Sequence, residues 1–278
     1  MGVSVIWMSG AILSFCLMAI GGRELSSEIN TFQTLFFRSL IGFIIITIAM
    51  AIVGDKKLFT TNRYTLHINR NIFHFIGQYA WFVGIGLLPL TVVFALEFTV
   101  PLWTVLVAAL VLKEKITKIK VFAITMGLVG VLLILQPGLE ILDATALIVL
   151  ASALFYAISH VNTKMLSITE DPLTILFYMC LIQLPIGFFL SLFYWVTPDV
   201  AQLFWLVIVG ISALSAHYCL TSAMRHAEVG VVLTLDFLRL PIIAVIGVMF
   251  YNEQLELAVL LGAFIMLLGN FANIYKTK

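Results

Sequence analysis

The sequence predicts an all-α membrane protein of ten transmembrane helices arranged as two inverted five-helix repeats. Three observations carry the prediction. The chain is 62% hydrophobic and only 10% charged, with a mean hydropathy of +1.14, whereas a soluble domain needs about a quarter of its residues charged to hydrate its surface. Its apolar segments reach the roughly 20 residues that a bilayer-crossing helix needs, and stretches within them such as FIIITIAMAIV and GLVGVLLILQ lack the alternation of a membrane barrel strand. A shift of 139 residues lays VVFALEF (92–98) on VVLTLDF (231–237), and the same shift carries Glu114 to Glu253 and Gly130 to Gly269.

The spans follow in order. Span 1 (3–21) closes before Arg23; lacking a positive n-region and an A-x-A-like exit, it reads as a retained helix, not a cleaved signal peptide. Span 2 (31–53) carries Arg38 in FFRSLIGF and stops at Lys56, Lys57 and Arg63. Span 3 (66–88) holds the polar residues His67, Arg70, Asn71, His74, Gln78 and Trp81, and span 4 (91–112) holds Glu97 and Pro101. Span 5 (118–136) emerges from the cluster Lys113, Lys115, Lys118 and Lys120. An acidic stretch at Glu140 and Asp143 joins the first half, 1–138, to the second, 139–278. Spans 6 (143–164), 7 (172–195), 8 (201–224), 9 (229–251) and 10 (256–275) complete the second half. Five spans per half is an odd number, so the halves cross the membrane in opposite senses, as in secondary transporters.

Orientation follows from the cations. Lys56, Lys57, Arg63, Lys113, Lys115, Lys118, Lys120, Lys164, Arg225, Lys276 and Lys278 fall on one face and Arg23 alone on the other, which places both termini in the cytoplasm of a bacterial inner membrane. Net charge is +1, so no basic surplus points to nucleic acid. Cys16, Cys180 and Cys219 lie inside apolar spans at spacings that suit neither a metal knuckle nor a redox pair. No metal or cofactor is expected.

Span 3 is the most informative, because its polar residues recur at steps of three or four and form one stripe that cannot face lipid. Two readings stand: the wall of a water-filled pathway, or hydrogen bonding to neighbouring helices. Ser152, Tyr156, Ser159 and Thr163 on span 6 and Ser212, Ser215, Cys219 and Ser222 on span 8 repeat the pattern more quietly. Glu97 and Asp236 are repeat-related carboxylates, each costing roughly 2.5–3.5 kcal/mol at the bilayer centre on insertion scales, so neither faces lipid unpaired. Pro101 cannot donate to the Glu97 carbonyl, nor Pro241 to that of Phe237, so both helices kink beside their acids. Arg239 shares a helical face with Asp236, which permits either an internal ion pair or the capture of a solute carboxylate by Arg239 and of its ammonium by Asp236. Arg38 reads as scaffold, capping carbonyls or pairing with Glu97. His74, His160 and His217 titrate near neutral pH when unperturbed and so suit proton coupling, or else are packing residues. Tyr79, Trp81, Phe98, Trp103, Tyr218 and Phe237 can stack on a planar or cationic solute, with Trp81 favoured by its place on the stripe. Gly127, Gly130, Gly262 and Gly269 read as close helix packing, with a homodimer contact as the alternative.

The closing segments PLWTVLVAALVLKEKITKIKVFAITMGLVGVLLI and LPIIAVIGVMFYNEQLELAVLLGAFIMLLGNF, with the ten spans and the repeat, resemble the drug/metabolite transporter superfamily in its EamA-type branch. HYCLTSAMRHAEVGVVLTLDFLRLP is similar to a bacterial subgroup of S-adenosylmethionine uptake transporters. The resemblance implies a solute cavity formed mainly by spans 1, 3, 4, 6, 8 and 9. No G-x-S-x-G, H-E-x-x-H or phosphate-loop motif is present, and Ser215, His217 and Asp236 make a hydrolytic set only on paper. A channel would need a filter sequence or a ring of repeated charges, and neither is visible. The expected function is secondary active transport of a small polar or amphipathic metabolite by alternating access. An amino-acid-like zwitterion or cation such as S-adenosylmethionine is the expected solute, with export of amphipathic drugs or toxic metabolites as the alternative. Proton coupling and exchange of a counter-solute are both compatible with this reading.

Overall fold

A computed structural model describes residues 2–111, 117–135, 144–227, 232, 235–254 and 256–275. Among them the chain is helical throughout, with no strand. In chain order come helices α1 (Gly2–Leu25), α2 (Thr31–Val53), α3 (Tyr64–Leu87), α4 (Leu90–Glu97), α5 (Val100–Val111) and α6 (Lys118–Leu135). Helices α7 (Ala144–Ser167), α8 (Pro172–Ser191), α9 (Val200–His226), α10 (Arg239–Tyr251) and α11 (Leu257–Tyr275) come after residue 143. Among the described residues six stretches are long and apolar enough to cross a membrane: Val3–Leu25, Thr31–Val53, Leu90–Val111, Ala144–Ser167, Pro172–Tyr194 and Val200–His226. Glu114, Glu140 and Asp143 lie outside the described residues.

Local chemistry sets the helix ends. Asn30 caps α2 by accepting from the Phe32 amide, and Gly54 closes it in the left-handed conformation at φ 76° that a glycine adopts without steric cost. Asp171 caps α8 ahead of Pro172, whose missing N–H costs nothing in the first turn. Asp199 and Gln202 form a reciprocal capping box at the start of α9.

The bundle is apolar outside and polar inside. On α3, Ile68, Ile72 and Ile76 are exposed at steps of four, while His67, Arg70, Asn71, His74, Gln78 and Trp81 on the other face are buried. The exposed row Ile44, Ile48 and Ile52 on α2 and the row Leu257, Leu261, Phe264, Leu268 and Phe271 on α11 extend the same outer surface. Such a surface is stable against lipid tails and not against water. Lengthwise packing pairs α1 with α9, α3 with α7, α2 with α8 and α6 with α11. At the last crossing a Cβ added to Gly130 would meet the Gly262 carbonyl oxygen at 2.6 Å, and one added to Gly262 would meet the Gly130 oxygen at 2.7 Å. These two glycines therefore bring α6 and α11 into backbone contact within one chain.

Breaks occur where the prolines require them. After α4 ends at Glu97, Thr99 turns the chain through a bond from its hydroxyl to the Leu96 carbonyl (2.8 Å), and α5 restarts at Val100 with Pro101 in its first turn. Asp236–Leu238 is a single tight turn of 3-10 helix leading into α10, with Pro241 in the first turn of that helix.

Candidate functional site

A narrow cavity of about 410 Å³ of atom-free space, partly open to solvent, sits where α1, α3, α4, α7, α9 and the start of α10 meet. Phe15, Met18, Trp81, Glu97, Tyr156, His160, His217, Leu220, Asp236 and Arg239 line it. Both acids reach it from helix interruptions, and Arg239 reaches it from the first turn of α10.

Arg239 organises the site. Its Nη2 donates to Glu97 Oε1 at 2.8 Å and to Asp236 Oδ2 at 2.7 Å. Trp81 Nε1 donates to the other Glu97 oxygen at 2.8 Å. The guanidinium carbon stands 4.7 Å from the ring centres of both Phe15 and Phe94, and 6.0 Å from that of Phe98, so aromatic faces complete the cation's surroundings. Arg239 is 1% exposed, while the two carboxylate side chains keep 13% exposure each toward the cavity. Two acids against one guanidinium leave one formal negative charge on the cavity wall when both acids are ionised. The arrangement can hold a cation against aromatic faces.

The structure separates the expected site residues. Glu97, Asp236, Arg239, Trp81 and His217 meet at the cavity. The Arg239 to Asp236 pair, one of the two readings the spacing permits, forms, and a second pair to Glu97 joins it. Arg38 does not pair with Glu97; its Nη1 donates to Gln78 Oε1 at 3.0 Å and to Gln183 Oε1 at 3.3 Å. His74 and Gln78 are buried in that polar cluster behind the cavity wall, with His74 Nδ1 2.9 Å from Gln183 Nε2. Tyr218 packs edge-on against Trp7 at 5.6 Å and does not line the cavity, and Phe98 contributes a face beneath Arg239. The side chain of Phe237 lies outside the described residues. Pro101 and Pro241 act on the backbone, at the two breaks.

For most of the span 3 stripe, interhelical hydrogen bonding is the reading the structure supports. His67 Nε2 lies 2.6 Å from Glu170 Oε2, Arg70 Nε donates to Thr163 Oγ1 at 3.1 Å, and only Trp81 of the stripe reaches the cavity. Sequence reasoning missed Phe15 and Met18 on α1 and Phe94 on α4, apolar residues in apolar helices that carry no local signal. Tyr156 and His160 were visible only as members of a quieter stripe and a set of titratable residues. His160 stacks on Tyr156 at 6.2 Å, and the His74 ring lies edge-on to His217 at 4.7 Å.

Polar contacts tie the two ends of the bundle. At one end Arg23 donates to the Leu88 carbonyl and pairs with Glu253 at 3.3 Å, while Glu253 accepts from the Leu90 amide at 2.7 Å and so sits on the N-terminus of α4. At the other end Lys164 Nζ donates to the carbonyls of Met224 (2.7 Å) and Ala227 (3.1 Å) at the close of α9, and Arg225 pairs with Asp171 at 3.2 Å.

The EamA-like transporter family model matches residues 2–136 and 144–275. A protein of Rickettsia bellii named S-adenosylmethionine uptake transporter is 24% identical over 99% of this chain and 94% of its own length. A protein of Vibrio cholerae named riboflavin transporter is 24% identical over 98% of this chain and 93% of its own. One solved crystal structure superposes with a TM-score of 0.72 at 16% identity, covering 98% of this chain and 96% of that one, which establishes a shared fold. The match over nearly the whole length, on a polar-centred bundle of apolar helices, shows that this multi-pass membrane chain belongs to the EamA-like transporter family.

Proposed function

We propose that the protein is a secondary active transporter of ten spans, built from inverted halves 1–138 and 139–278, which carries a small amino-acid-like cation or zwitterion by alternating access. S-adenosylmethionine is the leading solute, and the bacterial inner membrane, with both termini cytoplasmic, is its site. The observation that carries the reading is the pair of carboxylates, Glu97 and Asp236, held on one guanidinium at two helix breaks that face an aromatic-lined cavity. Arg239 occupies the place of the solute's cationic group. An arriving ammonium or sulfonium competes with it for the acids while Phe15, Trp81 and Tyr156 offer aromatic faces. A binding energy spent on releasing one half from the other is what alternating access requires.

Packing supports the inverted arrangement. Exchanging the halves turns the α1 and α9 pair into the α7 and α3 pair, and leaves the α2 with α8 and α6 with α11 contacts unchanged. On this orientation the Arg23, Leu88 and Glu253 contacts close the outer end, and Lys164 with Arg225 ties the cytoplasmic end. Among named relatives, S-adenosylmethionine and riboflavin are the two solutes to separate, and the cavity's surplus negative charge favours the cationic one.

Uptake of labelled S-adenosylmethionine into proteoliposomes tests the proposal. Saturable uptake that unlabelled solute competes away and riboflavin does not, and that Glu97→Gln or Asp236→Asn reduces at least tenfold, supports it. Competition by apolar organic cations but not by S-adenosylmethionine would instead assign the cavity to export of amphipathic compounds.

A further inference from the structure

Behind the cavity wall lies a second charged centre that the transport reading above does not use. Arg38 (3% exposed) on α2 and Arg70 (2% exposed) on α3 are both buried, and among the described residues no carboxylate lies within ion-pair distance of either. Arg70 is satisfied by Thr163 and by Asn71 at 2.7 Å. Arg38 is not: its Nη1 is shared between Gln78 and Gln183, while Nε and Nη2 have no partner. A buried guanidinium cannot neutralise itself by losing its proton, so it needs an anion or a dense set of acceptors.

The neighbouring unmade bonds share one sign. Gln78 Oε1 accepts from Arg38, which fixes the amide and leaves Gln78 Nε2 as an unpartnered donor. Gln183 Oε1 also accepts from Arg38, so its Nε2 donates to His74 Nδ1; a neutral His74 then carries its proton on Nε2, which has no partner either. Four orphan groups, Arg38 Nε and Nη2, Gln78 Nε2 and His74 Nε2, are thus all donors within one cluster. The free edge of Arg38 is the parallel Nε and Nη2 fork, whose spacing matches two carboxylate oxygens. The His74 ring contacts His217 at 4.7 Å and Tyr156 at 5.8 Å, and both of those residues line the cavity. Trp81, three residues beyond Gln78 on α3, lines it as well.

We propose that Arg38, with Gln78 and His74, forms a carboxylate subsite that binds the acidic end of the transported solute, opposite the Glu97 and Asp236 pole that takes its cationic end. This rests on the transport reading and extends it: Arg239, committed to two acids, is not the solute's carboxylate partner.

The test compares S-adenosylmethionine with its decarboxylated counterpart, an otherwise similar cation, by heat stabilisation of purified protein and by competition for proteoliposome uptake. Acetate serves as an isolated carboxylate probe. The key variant is Gln78→Glu, nearly isosteric, which gives Arg38 an internal carboxylate and does not strip the core of a partner; Arg38→Gln is its companion. Wild type is expected to prefer the carboxylated solute by about ten- to a hundredfold, the range of charge-assisted hydrogen bonds. Both variants should bring that ratio near one while leaving the decarboxylated cation's affinity within about threefold. An unchanged preference in folded Gln78→Glu overturns the subsite. If neither adenosyl compound acts on wild type, the solute assignment fails separately. Acetate stabilisation that is lost in Gln78→Glu then still supports the subsite, and acetate stabilisation that is equal in both, or absent from both, overturns it.

Discussion

Replacing Arg239 by leucine should be the most destabilising single change in the cavity. The side chain is 1% exposed, balances two carboxylates at 2.7 and 2.8 Å, and lies 4.7 Å from two aromatic ring centres. Removing one partner of a buried ion pair costs about 3–5 kcal/mol, because the abandoned charge stays buried. Here two acids lose one shared cation, which pushes the cost upward; their 13% exposure toward the cavity allows some hydration, which pushes it down. The expected loss for Arg239→Leu is therefore about 3–5 kcal/mol. Glu97→Gln or Asp236→Asn leaves Arg239 one acid and an amide acceptor, so each should cost about 1–3 kcal/mol, the range for a weakened hydrogen bond to a charge. The triple variant Glu97→Gln, Asp236→Asn, Arg239→Leu holds no buried charge at this point and should recover most of the loss, a non-additivity that marks an interacting set. Reversible unfolding in mixed micelles with increasing sodium dodecyl sulfate, followed by circular dichroism, measures all four proteins. If Arg239→Leu costs no more than either acid variant, or if the triple variant is as unstable as Arg239→Leu, the guanidinium is not the counter-charge that holds these acids in the membrane.

Three further outcomes are expected. Trp81→Phe removes the indole bond to Glu97 Oε2 while keeping an aromatic face, and should raise the solute's KM by roughly ten- to a hundredfold, as loss of a hydrogen bond to a charge does, with helix content by circular dichroism unchanged. Glu253→Gln weakens the contacts to Arg23 and to the Leu90 amide, so a cysteine placed at Met18, buried at the cavity, should react several-fold faster with an impermeant thiol reagent; an unchanged rate would show that these contacts do not close that end. Gly130→Ala drives a methyl group into the Gly262 carbonyl at 2.6 Å and should cost about 1–3 kcal/mol in the same micelle titration, whereas Gly54→Ala, in open space but at φ 76°, is strained by its backbone alone.

Much of the helical layout was legible because its signals are local. Apolar runs give the spans, the stripe on α3 gives its buried face, and Pro101 and Pro241 put the breaks beside Glu97 and Asp236, since Pro101 removes the donor to the Glu97 carbonyl and Pro241 the donor to that of Phe237, next to Asp236. The i, i+3 spacing of Asp236 and Arg239 likewise permitted the ion pair that forms, without excluding capture of a solute by the two residues. Where the stripe's side chains go was not legible. The period of α3 says that His74 and Gln78 face inward, but the same inward face serves a cavity or a neighbouring helix equally well.

The sequence by itself determined that this chain is a bundle of membrane helices with acids at interrupted points, because hydropathy, periodicity and proline chemistry act over a few residues. Only the tertiary structure decided the partners. Glu97 meets Arg239 across 142 positions, Arg38 meets Gln183 across 145, and Phe15 and Met18 enter the cavity from α1 because α1 lies along α9. Such pairings depend on how whole helices are translated and rotated against one another. In a chain where nearly every helix face is apolar, local sequence leaves those positions almost degenerate, and close packing of small residues and the satisfaction of buried charge select among them.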